Sequence, residues 1–265
     1  MNAISKLKKR INKVKSLLCV GLDSDFAKLP ARFRKLKHSQ FEFNKWIIDQ
    51  THEFVCAYKP NSAFYEARGA EGIAELKLTC DYLREEYSDI PIILDFKRGD
   101  IGNTNRGYAD YAFKYLQVDA VTLQPYQGIE ALEPFFKFKD KGLIILCKTS
   151  NPGSGELQDM EIDGEPVWQL VAKRVAGEWN KHGNCMLVVG ATYPEQLKEV
   201  RQIVGEMFML VPGVGAQGGD LAEVLKVGLN KDKSGLIINS SRGIIFADNP
   251  RQEAEKVVRQ MKIYL

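Results

Sequence analysis

Eight short apolar runs, each followed by a segment with helical spacing, constrain the fold of this chain more than any other feature. A strand that is buried on both faces has a continuous apolar sequence, which is typical of a parallel sheet covered by helices. Eight such strand–helix units predict a closed (β/α)8 barrel, a TIM barrel, forming a single domain over residues 1–265. The predicted strands are 16–23, 55–61, 91–97, 120–124, 142–149, 185–191, 208–214 and 235–241.

Three segments outside these runs extend the prediction. The basic stretch KLKKRINKVKSLL near the N-terminus predicts a short amphipathic lead-in helix before the first strand. Pro250 is expected in the first turn of the last helix, a position that tolerates proline. Segment 150–166, after the fifth strand, is predicted to be an irregular, mobile cap on the face of the barrel where active sites lie.

Composition excludes several classes of function. The net charge of +3, from 37 basic and 34 acidic residues, is too small to indicate nucleic-acid binding or a polybasic membrane surface. No run approaches the ~18 apolar residues of a membrane span, and no signal-peptide pattern is recognisable. Five cysteines without a CxxC pair favour a soluble, cytoplasmic protein. The three histidines lack metal-ligand spacing, so we expect no zinc site.

The densest group of ionisable residues lies in LDFKRGDIGNT (94–104). Asp95 and Lys97 are two apart on a predicted strand, so both side chains leave it on the same side. Lys59 lies near the end of the second predicted strand. Asp100 and Thr104 follow in the turn and at the helix start. Interleaved opposite charges keep one another ionised and hold a lysine in place as a proton donor. The alternative is a structural Asp95–Lys97 ion pair, with Asp100 or Thr104 capping the helix.

A second group follows the seventh and eighth strands, in VPGVGAQGGD (211–220) and NSSRGI (239–244). Its Gly213, Gly215 and Gly218 form a GxGxxG pattern, but too little chain follows for a dinucleotide-binding domain. Loops after strands seven and eight of a barrel commonly bind phosphate, and Arg242 is a forked donor suited to phosphate oxygens. We therefore predict a phosphate loop, to which Gln217 contributes. The alternative is a glycine-rich turn beside a surface arginine.

These segments also carry a family resemblance. CVGLDSD, YKPNSAFYE, LDFKRGDIGNT, LCKTSNPGSGELQ, VPGVGAQGGD and NSSRGI occur in the order found in orotidine 5′-phosphate decarboxylases, and KRGDIGNT resembles the bacterial type 2 subfamily. The resemblance covers residues 15–245. It implies a cofactor-free barrel that converts orotidine 5′-phosphate to uridine 5′-phosphate (UMP) in pyrimidine synthesis.

The resemblance also implies roles for individual residues. Lys97 resembles the proton donor to C6 of the pyrimidine, and Asp95 resembles the carboxylate placed against the substrate's own carboxylate. Lys59 and Asp23 resemble the pair that holds the ribose hydroxyls. Asp100 and Thr104 resemble residues that reach into the neighbouring subunit's site, which implies a homodimer with shared active sites. The remaining implied substrate contacts are Ser150 at the pyrimidine edge and Pro212, Gln217, Ser241 and Arg242 around the phosphate.

Two other functions fit the same pattern. A magnesium-dependent 3-keto-gulonate 6-phosphate decarboxylase, or a related aldolase, is built on a sister barrel with the same D-x-K-x-x-D scaffold, and loss of activity in excess chelator would identify it. A non-catalytic barrel that senses sugar phosphates would bind UMP without turnover. The retained Asp95, Lys97 and Asp100 argue against the sensor.

Overall fold

The computed structural model describes residues 1–215 and 218–265, and within them eight parallel strands form one sheet. All eight predicted strands are confirmed; seven lie inside their predicted runs, and the third extends one residue beyond its run, to Arg98. The strands are β1 (Leu18–Gly21), β2 (Ala57–Lys59), β3 (Ile93–Arg98), β4 (Ala120–Leu123), β5 (Gly142–Lys148), β6 (Cys185–Val189), β7 (Met209–Val211) and β8 (Leu236–Ser240). Along the sheet the order is β2-β1-β8-β7-β6-β5-β4-β3.

Hydrogen bonds between β2 and β3 bring the two ends of this sheet together. Isolated parallel bridges pair Tyr58 with Ile92 and Asn61 with Asp95. The backbone N–H of Asp95 donates to the carbonyl of Pro60 at 2.9 Å. The sheet is therefore a nearly closed barrel, and the predicted (β/α)8 architecture is confirmed.

Helices cover the outside of the barrel. The helix over Gly69–Glu86 shows why: Leu76, Cys80 and Leu83, spaced four and three residues apart, lie on its buried face, as their spacing predicts. The helices over Gly102–Asp110 and Val167–Arg174 continue as π-helical turns over Tyr111–Tyr115 and Val175–Trp179. The α-helices of the described residues are α1 (Ala3–Val14), α2 (Ala31–Arg34), α3 (Ser39–Thr51), α4 (Ala63–Glu66), α5 (Gly69–Glu86), α6 (Gly102–Asp110), α7 (Gly128–Phe136), α8 (Gly155–Gln158), α9 (Val167–Arg174), α10 (Pro194–Val204), α11 (Leu221–Gly228), α12 (Arg242–Ile245) and α13 (Pro250–Lys262).

The predicted lead-in helix is α1, which packs at the amino ends of the strands. Asn2 caps it by accepting a hydrogen bond from the N–H of Ser5 at 2.8 Å. The guanidinium of Arg10 is buried and donates to the carbonyl of Val55, just before β2, at 2.9 Å. Arg10 also pairs with Asp89 at 2.8 Å. Because α1 occupies this end of the barrel, the carboxyl ends of the strands form the opposite, open mouth.

Segment 150–166 is more regular than the sequence predicts. It contains a 3-10 turn (Pro152–Ser154), helix α8, and a hairpin that pairs Glu161–Ile162 with Glu165–Pro166. The hairpin turns at Asp163 and Gly164, which have φ values of 54° and 80°. A two-residue turn with positive φ at both positions favours Asp-Gly, so this dipeptide is the signal that reveals the hairpin.

The five cysteines are all free and buried. Burial raises the pKa of Cys19, on β1, to about 12. Since the thiolate is the reactive form, a buried thiol of this kind behaves as a small apolar side chain. Across residues 1–215 and 218–265, none of the helices has the length and apolarity needed to cross a membrane.

Candidate active site

A cavity of about 780 Å³ opens at the carboxyl ends of the strands. Its volume is typical of sites that enclose a small organic ligand. Most of the residues that the sequence singles out contribute to its wall, although they come from six different strand ends. Those that line it are Asp23, Lys59, Asp95, Lys97, Ser150, Pro212, Ser241 and Arg242.

A chain of ion pairs centred on Asp95 forms the floor of the cavity. Lys59 donates to Oδ2 of Asp95 at 2.7 Å, and Lys97 donates to Oδ1 at 2.6 Å. The Thr122 hydroxyl on β4 donates to the same Oδ1 at 2.9 Å. Asp95 and Lys59 are almost fully buried, whereas the Lys97 side chain is 43% exposed. The cavity therefore presents one accessible ammonium, held by a buried carboxylate.

Electrostatics keep this chain charged. Burial opposes ionisation of Asp95, but the neighbouring charges of Lys59 and Lys97 outweigh it and hold the pKa of the carboxyl well below its ordinary value. Burial alone would lower the pKa of Lys59, but Asp95 and Asp23 raise it above its ordinary value. Asp95 and Lys59 therefore both remain ionised throughout the neutral pH range.

The backbone at Lys97 is unusual. Its φ is 43°, in the left-handed region that few residues other than glycine adopt. The pairing of β3 with β4 shifts register between Leu94 and Arg98, and the N–H of Lys97 donates to the Thr122 hydroxyl at 2.9 Å. Such a conformation costs on the order of 1–3 kcal/mol and persists where the surrounding structure imposes it, most often at functional sites. Alternation along a regular strand predicts the side of Lys97 correctly but not this bulge.

Asp23 and Ser241 meet where β1 and β8 end. A Cβ atom on Gly21 would lie 1.9 Å from Oγ of Ser241 and 3.3 Å from Oδ1 of Asp23, so the close approach requires glycine. Oδ1 of Asp23 is buried and has no hydrogen-bond partner among the described residues. A buried acceptor of this kind needs a donor, which a bound ligand can supply.

Asn239 belongs to the same corner and is missing from the predicted site. It is buried, lines the cavity, and donates from Nδ2 to Oγ of Ser241 at 3.3 Å. Alternation along a continuous strand places Asn239 and Ser241 on the face opposite Ser240 and Arg242, yet all four line the cavity. Alternation does not hold beyond Ser240, because β8 ends there and the chain turns into α12 at Arg242.

The predicted phosphate side lies beside this corner. Gly213, Gly215 and Gly218 have φ values of 96°, 71° and 88°, so the glycines are needed for a tight turn. Arg242 is exposed at the cavity wall, and its guanidinium has no ion-pair partner within the described residues. An uncompensated arginine at the start of a helix suits an anion. Gln217, the other predicted phosphate contact, lies outside the described residues.

Asp100 and Thr104 do not line the cavity of their own chain. Oδ1 of Asp100 accepts a hydrogen bond from the N–H of Ile101 at 2.7 Å, and Thr104 is exposed on α6. Ile101 occupies the N-cap position of α6, where no side-chain capping bond is formed. The helix-capping alternative is therefore wrong, and neither residue lines this chain's cavity.

Three further polar residues contribute to the site and are not among the predicted site residues. Asn61 lines the cavity two positions after Lys59, on the face that strand alternation would have indicated. Thr122 and Gln124, two apart at the end of β4, reach the Asp95 carboxylate and the cavity wall respectively. Both lie in the apolar run AVTLQ, which contains no ionisable residue to draw attention to it.

Comparisons with known proteins agree with this geometry. The model of the family described as "Orotidine 5'-phosphate decarboxylase / HUMPS family" matches residues 16–257. An orotidine 5′-phosphate decarboxylase of Cellvibrio japonicus is 49% identical over 251 residues, which cover 94% of this chain and 91% of the relative. The corresponding protein of a Janthinobacterium species is 46% identical over 93% of this chain and 90% of its own length.

Solved structures show the same fold. The Leishmania donovani OMP decarboxylase is 41% identical, has a TM-score of 0.90, and is covered over 99% of its length by the whole of this chain. The UMP synthase of the same organism gives a TM-score of 0.91 at 43% identity, and this chain spans 56% of that longer protein. With a family model matched over most of its length and relatives at this identity, the chain belongs to the orotidine 5′-phosphate decarboxylase / HUMPS family.

Proposed function

We propose that this protein decarboxylates orotidine 5′-phosphate to UMP and CO2, a step of pyrimidine synthesis. The observation that carries the proposal is the chain of Lys59, Asp95 and Lys97 on the floor of a nucleotide-sized cavity, in a member of this family. One buried carboxylate and one accessible ammonium are the groups that replacement of a carboxylate by a proton requires.

Lys97 is the proposed proton donor. In the reaction the bond between C6 and the substrate carboxylate breaks, CO2 leaves, and the electron pair remains on C6. The Lys97 ammonium stabilises this charge as it develops and then transfers a proton to C6. Enzymes lower barriers by about 8–23 kcal/mol, and a carbanion without a conjugated electron sink needs the upper part of that range. Because lysine supplies the proton and C6 keeps the electrons, the proposed reaction needs no cofactor.

Asp95 is proposed to lie against the substrate carboxylate. Its low pKa keeps it charged, so the two carboxylates repel one another in the bound substrate, and departure of CO2 relieves the repulsion. Lys59 holds Asp95 in place from the buried side at 2.7 Å. Lys59 and Asp23 also hold the ribose hydroxyls in this proposal, a role supported by the unpaired Oδ1 of Asp23, which can accept from a hydroxyl.

The phosphate is proposed to bind where the loops after β7 and β8 meet. Arg242 supplies the charge, Ser241 a hydroxyl and Pro212 part of the wall, with Gln217 as the further contact expected from the family resemblance. Ser150, which follows β5 and also lines the cavity, meets the pyrimidine edge. Binding energy from the remote phosphate can then hold C6 against Lys97.

The working form is proposed to be a homodimer with shared sites. Asp100 and Thr104 leave their own chain's cavity and are proposed to complete the partner's. Two exposed apolar side chains follow the paired strands β3 and β4: Ile101 is 62% exposed and Tyr126 is 89% exposed. Exposed apolar side chains after two neighbouring strands suit a protein interface, which supports the dimer.

We further infer a single catalytic domain in the cytoplasm, where five free thiols remain reduced.

The test is direct. Purified protein is incubated with orotidine 5′-phosphate in excess EDTA, and the fall in ultraviolet absorbance is followed while UMP is identified as product. Metal-independent formation of UMP is the expected result. Activity that disappears with the chelator would favour the magnesium-dependent relatives, and UMP binding without any turnover would favour a sensor.

A further inference from the structure

Lys148, the last residue of β5, is a buried lysine that the proposed reaction does not use. Its side chain is 1% exposed, and Nζ donates to Oδ1 of Asp159 at 2.6 Å. The same ammonium lies 4.6 Å from the ring centroid of Tyr193, in cation–π contact. Lysine is almost never fully buried unless it is paired, and Lys148 does not line the cavity. Its charge therefore serves something other than direct contact with a ligand.

The Lys148–Asp159 pair joins the two ends of one stretch of chain. Between them lies the segment 149–158, which overlaps the predicted cap of residues 150–166 and is called the cap from here on. It supplies five residues of the cavity wall. Gln158 reinforces the closure, because its Oε1 accepts from the N–H of Thr149 and its Nε2 donates to the Thr149 hydroxyl, both at 2.9 Å. The cap residues that line the cavity are Thr149, Ser150, Asn151, Leu157 and Gln158.

The loop after β6 supports the cap from the other side. A Cβ on Gly190 would lie 2.7 Å from Cα of Ser150, so Ser150 rests against backbone. The Tyr193 hydroxyl accepts from Ser154 at 3.2 Å and donates to the carbonyl of Asn151 at 3.4 Å. Tyr193 thus contacts the Lys148 ammonium through its ring and the middle of the cap through its hydroxyl.

We propose that Lys148 is a positioning residue: with Asp159 and Tyr193 it fixes the cap so that Ser150 meets the base of the bound nucleotide. This inference rests on the proposed function, since it assumes a pyrimidine nucleotide in the cavity. It assigns Lys148 to the base side of the site. The phosphate side is built by Arg242, which follows β8, and is independent of the pair.

The choice of variant follows from the exposure of the two partners. Lys148→Met keeps the length of the side chain and leaves Asp159, which is 49% exposed, to be solvated by water. Asp159→Asn is the second variant, in which an amide oxygen still faces the buried ammonium. The matched control is Lys173→Met, because Lys173 pairs with Glu165 at 2.6 Å next to the cap, but both side chains are exposed.

The experiment compares two ligands by calorimetry, UMP and ribose 5-phosphate, together with the steady-state kinetics of orotidine 5′-phosphate. For Lys148→Met we expect the Kd of UMP and the KM to rise about tenfold, and the Kd of ribose 5-phosphate to change by less than about twofold. Lys173→Met should match the wild type in all three measurements. A general loss of folding would weaken the binding of both ligands equally. A loss of affinity for UMP alone therefore identifies Lys148 as a positioning residue for the base.

Unchanged UMP affinity in Lys148→Met, or equal losses for UMP and ribose 5-phosphate, would overturn the inference. If Lys148→Met does not fold, Asp159→Asn must show the same split in a smaller degree, and wild-type UMP affinity in that variant would overturn the inference as well. A wild-type protein that fails to turn over orotidine 5′-phosphate would instead refute the proposed function, so the two failures are distinguishable.

Discussion

At the scale of single residues, Asp95 determines how the cavity is charged. It accepts from two ammonium groups and a hydroxyl, so both of its oxygens are occupied by protein donors. A carboxylate bonded in this way cannot rotate, and it holds the Lys97 ammonium in a defined place. The left-handed backbone at Lys97 indicates that its position is imposed by the surrounding structure.

Replacing the proposed proton donor should separate chemistry from binding. We expect Lys97→Ala to lower kcat at least about a thousandfold, because charge stabilisation and proton transfer are lost together. UMP should still bind, since the phosphate side lies on another wall of the cavity. Absorbance assays and calorimetry measure the two properties. Lys114→Ala, which removes an exposed lysine paired with Asp110, is the control and should match the wild type. Near-normal turnover by Lys97→Ala would refute the role of Lys97.

The low pKa of Asp95 makes a prediction about stability. The pKa of Asp95 in the folded protein lies below the ordinary value of 3.8. At pH values between these two pKa values, Asp95 binds a proton in the unfolded chain but not in the folded protein. The stabilisation from Asp95 is therefore complete above pH 3.8 and is lost as the pH falls toward the folded pKa. Asp95→Asn should cost about 3 kcal/mol at pH 7, since it removes the ion-pair partner of the buried Lys59.

Denaturant unfolding at pH 7, 5, 4 and 3 checks this prediction. The difference in free energy of unfolding between wild type and Asp95→Asn should stay nearly constant down to about pH 4 and shrink below it. Asp110→Asn, at an exposed ion pair, should cost less than about 1 kcal/mol. A difference that grows as the pH falls would contradict the assigned direction of the Asp95 pKa shift.

At the scale of elements, the strands were predictable because each is a continuous apolar run, and their ends were not. Regular alternation holds through the middle of a strand and gives the correct side for Lys97, but it does not predict the bulge at Lys97 or the turn of β8 into α12. Both features depend on contacts with other strands. Lys97 at the bulge contacts Thr122 on β4, and Ser241 after β8 packs against Gly21 on β1. The hairpin after α8 was predictable from its Asp163-Gly164 turn, whereas Asn239 carries no signal in a single sequence.

The junction of β1 and β8 should be sensitive to a single methyl group. In Gly21→Ala the new Cβ would lie 1.9 Å from Oγ and 2.9 Å from Cβ of Ser241, so the end of β8 must move. Because Ser241 and Arg242 follow directly, we expect nucleotide binding to weaken about tenfold or more, measured as the Kd of UMP. Gly243→Ala is the control, since nothing lies within 4 Å of its added Cβ. Equal affinities in the two variants would mean that this corner does not contact the nucleotide.

At the scale of the whole molecule, one chain supplies the cavity but not every residue proposed for the reaction. Asp100 and Thr104 follow the strand that carries Asp95 and Lys97, yet they leave the cavity that those two residues line. A single sequence shows their nearness to the site but not which subunit they serve. That assignment depends on the symmetry of the proposed dimer, in which each chain contributes the same residues to the site of its partner.

Hybrid dimers therefore provide the decisive measurement. Lys97→Ala and Asp100→Ala should each be inactive alone. In a hybrid dimer, one of the two sites combines the intact Lys97 of the Asp100→Ala chain with the intact Asp100 of the Lys97→Ala chain. Half of randomly reassociated dimers are hybrids and one of their two sites is intact, so an equal mixture should regain about a quarter of wild-type activity. Mixing Lys97→Ala with Asp95→Asn is the control, because both residues line the cavity of the same chain, and it should restore nothing. If the first mixture also stays inactive after reassociation is verified by mass spectrometry, Asp100 acts within its own chain.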